Sequence, residues 1–126
     1  MKPEIAERLN AAVDAHKAGR LAEAEAAYRQ ILSQDPKNAD TLNLMGVLAS
    51  STGRLAEAAR FLDRAVSLYP AFAEAHFNRG NVLHALGKPR EAAAAFERTI
   101  ELQPQRSDAR LNLGALLAAS QRLDEA

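Results

Sequence analysis

Two histidines, His16 and His84, are the residues whose chemistry would be easiest to put to work, since a pair of imidazoles can hold a zinc ion. Zinc needs both nitrogens within about 2.0 to 2.1 Å. The two stand two periods of a 34-residue interval apart. On helices packed about 8 to 10 Å axis to axis, that is on the order of 20 Å, so they share no ion and no metal site is expected. His76 reads as an interhelix or surface residue. No G-x-S-x-G, H-E-x-x-H or Walker string occurs, and Gly87-Lys88 lacks the glycine-rich loop that cradles a phosphate. The expectation is therefore no catalysis by this segment and no cofactor. What remains is hydrogen bonding and charge. Asn10, Asn78 and Asn112 recur on the same interval, with Leu44 standing where the series would have its second member. Each amide both donates and accepts. Asp40, Glu74 and Asp108 recur likewise. These acids could draw a basic or amine-bearing partner, or stabilise helix N-termini through the helix dipole.

The elements that carry these residues are set out by the same interval. Pro36, Pro70 and Pro104 stand 34 residues apart, and GRLAEA (19–24), GRLAEA (53–58), GKPREA (87–92) and QRLDEA (121–126) repeat with them. A period of this length is one supersecondary unit that cannot bury its apolar face alone, so the chain reads as a stacked array. The rows are 5–38, 39–72, 73–106 and an incomplete 107–126, one repeat domain over 1–126. Each full row reads as two helices. The first ends near Gly19, Gly53 or Gly87, where Gln121 stands in the fourth row. The second begins just after and stops before the proline, which disfavours helical geometry in the residue ahead of it. Pro89 falls in a first turn, where its missing N–H costs nothing. No sustained alternation of polar and β-branched residues signals a strand.

Small residues recur at Ala12, Gly46, Gly80 and Gly114 and at Ala24, Ala58, Ala92 and Ala126, which predicts that the two helices of a row meet there. Around that contact Leu21, Leu55 and Leu123, then Tyr28, Leu62 and Phe96, then Leu32, Val66 and Ile100 are the expected core, spaced along one helical face. With 28 alanines in 126 residues the chain is rich in strong helix formers. Lys plus Arg equals Asp plus Glu, 16 each, so no net field favours nucleic acid or an anionic membrane. There is no cysteine, hence no disulfide and no thiolate metal site. The N-terminus has no apolar signal-peptide core, and no stretch approaches the ~18 apolar residues of a membrane span. The expected location is cytoplasmic.

AEAHFNRG at 73–80 and SDARLNLG at 107–114, each followed by the G(R/K)xxEA-type string, and FERTIELQP at 96–104 resemble the tetratricopeptide repeat. The likeness spans nearly the whole chain. It departs at the fourth place of each row, where the family often has an aromatic and this chain has Arg8, Leu42, His76 and Arg110. Ile31 stands at a usually small place, and Arg79 replaces the apolar residue represented by Met45 and Leu113. The Arg79 stem is expected to lie on a neighbouring helix with its guanidinium at solvent or a carboxylate.

The resemblance implies an all-α, right-handed superhelical solenoid of antiparallel helix pairs whose first helices line a concave groove. It implies a groove presenting Asn10, Asn43, Leu44, Val47, Phe77, Asn78, Asn81, His84 and Asn112, with Ala6, Leu9, Val13, Ser50, Ser51 and Leu111 among the remaining inward positions. Apolar anchors beside amides suit an extended peptide. The asparagines resemble the ladder of repeat domains attached to O-linked N-acetylglucosamine transferases. The Lys/Arg clamp by which some members hold acidic chaperone tails is missing: Leu9, Val13, Leu44, Glu74 and Asn78 occupy its places. The reading is a protein-interaction module that binds a protein or peptide segment in its groove. Its alternatives are the substrate-presenting repeat region of a larger transferase and a self-assembling scaffold. Ala126 is expected about one turn into a second helix, leaving Leu113, Leu116 and Leu117 uncovered. The corresponding expectation is that this is a fragment of a longer protein, which either self-associates through residues 110–123 of the incomplete fourth repeat or frays there.

Overall fold

The computed structural model describes the backbone of residues 2–125 and the side chains of residues 2–121. The expectations for the Leu123 side chain and for Ala126 lie outside the described residues. Seven helices and no strand occur among the described residues: α1 (Pro3–Lys17), α2 (Leu21–Gln34), α3 (Ala39–Ser51), α4 (Leu55–Leu68), α5 (Ala73–Ala85), α6 (Pro89–Leu102) and α7 (Ser107–Glu125).

The helix ends follow from the residues that make them. Gly19, Gly53 and Gly87 take φ of 82°, 81° and 77°, the left-handed region that glycine enters without a Cβ clash. Gly19 N–H then donates to His16 O at 3.1 Å and Arg20 N–H to Ala15 O at 2.9 Å, the pair of bonds that satisfies a helix's last carbonyls. Gly53 with Arg54 and Gly87 with Lys88 repeat it. At the other ends Asp35, Tyr69 and Gln103, the residues ahead of the prolines, leave helical geometry at φ of −137°, −131° and −135°.

The fourth row corrects the expected break. Gln121 has no glycine's freedom, no non-glycine residue among those described has a positive φ, and α7 runs straight through to Glu125. Residues 121–125 of the string that matches the starts of α2, α4 and α6 therefore extend a first helix instead of opening a second.

Each helix packs on its chain neighbours, and α3 also touches α5. That is the nearest-neighbour pattern of a stacked array. Close approach is real at two of the small residues. A Cβ on Gly46 would lie 2.6 Å from Leu62 Cγ, and one on Gly80 would lie 2.6 Å from Phe96 Cε1. The residues facing these glycines are thus Leu62 and Phe96, with Ala58 and Ala92 fully buried in their respective clusters. Gly114 meets nothing within 4 Å, since no covering helix follows α7 among the described residues.

The core is displaced by one residue from part of its expected line. Tyr28, Leu62 and Phe96 are fully buried, but Leu21, Leu55, Leu32, Val66 and Ile100 are half-buried. The inner places go to Ile31, Ala65 and Thr99, each 0% exposed. Residues three and four after Tyr28 fall on opposite flanks of its face, so Ile31 joins the cluster of Tyr28 while Leu32 lies on the flank toward the next pair. Leu32 accordingly touches two of the three clusters that make up the core. Thr99 tolerates burial because its Oγ1 donates to Ala95 O at 2.9 Å.

The departures from the repeat pattern have local explanations. His76 Nε2 donates to Pro70 O at 2.9 Å and Arg110 Nε to Pro104 O at 2.8 Å, so these residues tie the proline turn ahead of their own helix. Leu42 cannot donate, and Arg64 reaches Pro36 O from α4 at 2.9 Å instead. Arg79 is half-buried and places Nε 2.6 Å from Asp63 Oδ1 on α4. On α7 the expected uncovered stripe is narrower than Leu113, Leu116 and Leu117. Leu116 is buried with Leu83, Ala92, Ala95 and Phe96, and Leu113 packs against the same cluster. Leu111 and Leu117 are the exposed ones, at 73% and 52%.

Candidate functional site

Where α3 and α5 run side by side, Val47, Ser50 and Ser51 of α3 face Asn78, Asn81 and Val82 of α5, with Leu62 of α4 behind them, around a depression of about 240 Å3. Five of these seven residues are among the inward positions that the resemblance implies; α3 is seated on Leu62 of α4 at Gly46, and α5 on Phe96 of α6 at Gly80. No Lys, Arg, Asp or Glu lines it. It offers amides, hydroxyls and apolar walls.

The amides are oriented by one another. Asn78 Nδ2 donates to Asn43 Oδ1 at 2.9 Å, across α3 and α5. Asn43 is 6% exposed, and no buried side-chain polar atom among the described residues lacks a partner. The bond uses the donor of Asn78 and the acceptor of Asn43, which leaves the amino group of Asn43 and the carbonyl of Asn78 for something else. One step along, Asn112 Nδ2 donates to Asn81 Oδ1 at 3.0 Å, with the same sense. The first helices thus carry donor and acceptor in alternation, Asn43 and Asn78, then Asn81 and Asn112. A peptide unit offers one acceptor and one donor in return.

Other expected groove residues are placed differently. Leu44 and Val13 are half-buried and pack against the first core cluster, and Leu9, 7% exposed, belongs to that cluster itself. Asn10 is exposed on α1 and His84 exposed near the end of α5, neither in the depression. His16 has a structural partner. Its Nδ1 lies 2.9 Å from the hydroxyl of the buried Tyr28, with the ring edge-on at 5.8 Å, and burial pushes that hydroxyl's pKa up. No group of three or more His, Asp or Glu side chains that could hold a metal occurs among the described residues.

Arg106 is the residue that the sequence reading missed. Its guanidinium carbon lies 4.1 Å from the centre of the Phe77 ring, Nη1 donates to Glu74 Oε2 at 2.7 Å and Nε to Asp108 Oδ1 at 2.8 Å. Phe77 in turn packs on Phe96 at 5.8 Å, so its ring is sandwiched and half-buried. The carboxylates at 74 and 108 thus already share a cation, which ties α5 to the first turn of α7. The available signal was its place, the last residue of a row, directly before a helix that carries an acid, Asp108, in its first turn.

The Asp108 carboxyl is held below its usual range, chiefly by the Arg106 hydrogen bond and further by the Ala109 N–H, against the opposing effect of burial. Glu25 is held down similarly, first by Arg54 and then, against burial, by Arg29. A carboxyl whose pKa is depressed on folding contributes stability that is full above its unfolded pKa and is lost as pH falls through the folded one. The melting temperature should therefore drop once pH goes below the unfolded values of about 4. Thermal melts across that range on the parent chain and on Asp108→Asn check this: the variant should show a shallower acid slope, and identical slopes would remove Asp108 from the explanation.

A tetratricopeptide repeat profile matches residues 15–80 and a second of the same description matches residues 73–106. No curated protein matches the chain. Among solved structures, the first TPR of Spaghetti (RPAP3), bound to the HSP90 peptide SRMEEVD, superposes with a TM-score of 0.89 at 25% identity, over 93% of each chain. A variant of the Thermobaculum terrenum O-GlcNAc transferase gives 0.83 at 32% identity, over 93% of this chain and 23% of that one. The Sgt2 TPR domain of Aspergillus fumigatus gives 0.92 at 20% identity, over 99% and 84%, a likeness of fold alone.

Proposed function

The chain belongs to the tetratricopeptide repeat family, and from that we propose that it is a protein-interaction module that holds an extended segment of another protein across α3 and α5. The observation that carries this reading is the oriented amide pair of Asn43 and Asn78 beside the uncharged depression of Val47, Ser50, Ser51 and Asn81. Amides locked in one sense can meet a partner backbone without first being ordered, which lowers the entropic cost of binding. The peptide held by the Spaghetti (RPAP3) domain supports a peptide as the class of ligand. The depression's lack of Lys and Arg favours a neutral segment over an acidic one. The proposed unit is a single repeat domain with rows at 5–38, 39–72, 73–106 and 107–126, a division supported by the same glycine turn at Gly19, Gly53 and Gly87.

Asn78→Ala should weaken binding of the native partner segment by about 1 to 3 kcal/mol, since it removes one contact and leaves Asn43 Oδ1 without its donor. Asn10→Ala, on α1 outside the depression, should leave affinity unchanged. Calorimetry on both variants, with circular dichroism to confirm folding, decides it: equal affinity of parent and Asn78→Ala would remove this site.

The likeness to part of an O-GlcNAc transferase supports a second reading, a repeat region that presents substrates to a transferase. The reading frame of the full gene tests it, through the presence or absence of a transferase domain. The scaffold reading rests on exposed Leu111 and Leu117 flanking the open Gly114. A strictly monomeric molar mass in concentrated solution would dismiss it.

A further inference from the structure

A second surface lies on α4, built from residues that the α3–α5 depression does not use. Arg60, Phe61, Arg64 and Leu68 fall at helical spacing on one side of that helix. Two adjoining depressions share Arg64. One, of about 370 Å3, reaches from α4 to the Pro36–Lys37 turn; the other, of about 280 Å3, includes Arg60 and Phe61. Arg64 is anchored between them, because its Nη2 donates to Pro36 O at 2.9 Å. Its other N–H groups stay available.

The local charge does not cancel. Glu57 is taken by Arg29 at 2.5 Å and Arg54 at 3.3 Å, and Asp63 by Arg79 at 2.6 Å. Asp35, next to Pro36, accepts from Asn38 and lines a different depression with Lys2 and Arg8. Lys37, Arg60 and Arg64 are exposed, and none has a carboxylate partner among the described residues. They form a positive patch on a chain of zero net charge. Apolar surface adjoins it, with Leu68 37% and Tyr69 38% exposed. A simple anion would use the charges and leave the apolar surface wet. A nucleic acid would want a longer basic track and free aromatic faces. A protein segment that alternates acidic and apolar side chains uses both.

We propose that this side of α4 is a second docking surface, whose occupant is an acidic amphipathic segment of another protein, its carboxylates meeting Lys37, Arg60 and Arg64 and its apolar side chains covering Phe61 and Leu68. The proposal is independent of the α3–α5 groove.

The test is fluorescence anisotropy on the full chain with a labelled synthetic peptide of alternating glutamate and leucine turns. Binding should saturate, weaken about tenfold or more in Lys37→Glu/Arg60→Glu, and fade as salt shortens the Debye length to about 3 Å near 1 M. Lys37→Gln/Arg60→Gln, which removes the charges without reversing them, should weaken it in the same direction if the first variant folds poorly. Asn78→Ala should bind the peptide as the parent does. The proposal is overturned if the parent shows no saturable binding, if the double variants bind equally, if a peptide with glutamine for glutamate binds as well, or if inorganic phosphate at millimolar concentration displaces the peptide completely.

Discussion

Phe96→Ala should remove about 3 to 5 kcal/mol of stability, the range for deleting a fully buried ring. Phe96 is 0% exposed and packs with Leu83, Ala92, Ala95, Leu116 and the Phe77 ring, so it joins α5, α6 and α7 at one point. Domains are stable by only about 5 to 15 kcal/mol, so a large part of the total would go. The loss should also be uneven. Helices here contact their neighbours and little else, and in such arrays stability is a sum of local and nearest-neighbour contributions. Urea unfolding followed by far-ultraviolet circular dichroism should show the shift, and hydrogen exchange should show α5 to α7 losing protection while α1 and α2 keep most of theirs. A loss below about 1 kcal/mol would mean that the ring is not the core residue described.

Gly80→Ala and Gly114→Ala should act in opposite directions, although the two glycines occupy equivalent places one period apart. At Gly80 the new methyl would sit 2.6 Å from Phe96 Cε1 and 2.8 Å from Cδ1, a ring too enclosed to retreat. Overpacking of this kind costs about 1 to 3 kcal/mol, against which alanine's better helix propensity returns up to about 1. At Gly114 nothing lies within 4 Å, so only the propensity gain remains. Gly80→Ala should melt lower than the parent and Gly114→Ala higher. Both variants moving the same way would contradict the packing of α6 on α5 or the openness of α7.

Much of the fold was legible because the interval, the glycines and the prolines each report a local backbone requirement. A glycine that must take positive φ and a residue that precedes proline show their conformations without reference to the rest of the chain. The end of α7 was misread for the same reason: QRLDEA keeps the letters of a helix start but has lost the glycine that stops the helix before it. The core line slipped from Leu32, Val66 and Ile100 to Ile31, Ala65 and Thr99 because a repeat gives spacing along a helix and not its rotation against a neighbour.

Five of the seven residues around the α3–α5 depression stood among the expected inward positions, but the pairing of the amides was not legible. Asn78 bonds to Asn43 across 35 residues and Asn112 to Asn81 across 31, so neither partner lies at the repeat interval itself. The residues of such a pair sit on different faces of their helices and meet only once the helix rotations are known. Arg106 escaped notice because the partners that fix it over the ring, Phe77, Glu74 and Asp108, come from two different helices.

The most direct test of the binding role is site-specific photo-crosslinking of the chain in the lysate of its native cell. A benzophenone amino acid is placed at Ser51, in the α3–α5 depression, and separately at Ala94, exposed on α6. Cross-linked peptides of another protein, mapping to one contiguous segment, should come from position 51 and not from position 94. Cross-links to a partner from position 94 with none from position 51 would contradict a groove that holds a protein segment across α3 and α5.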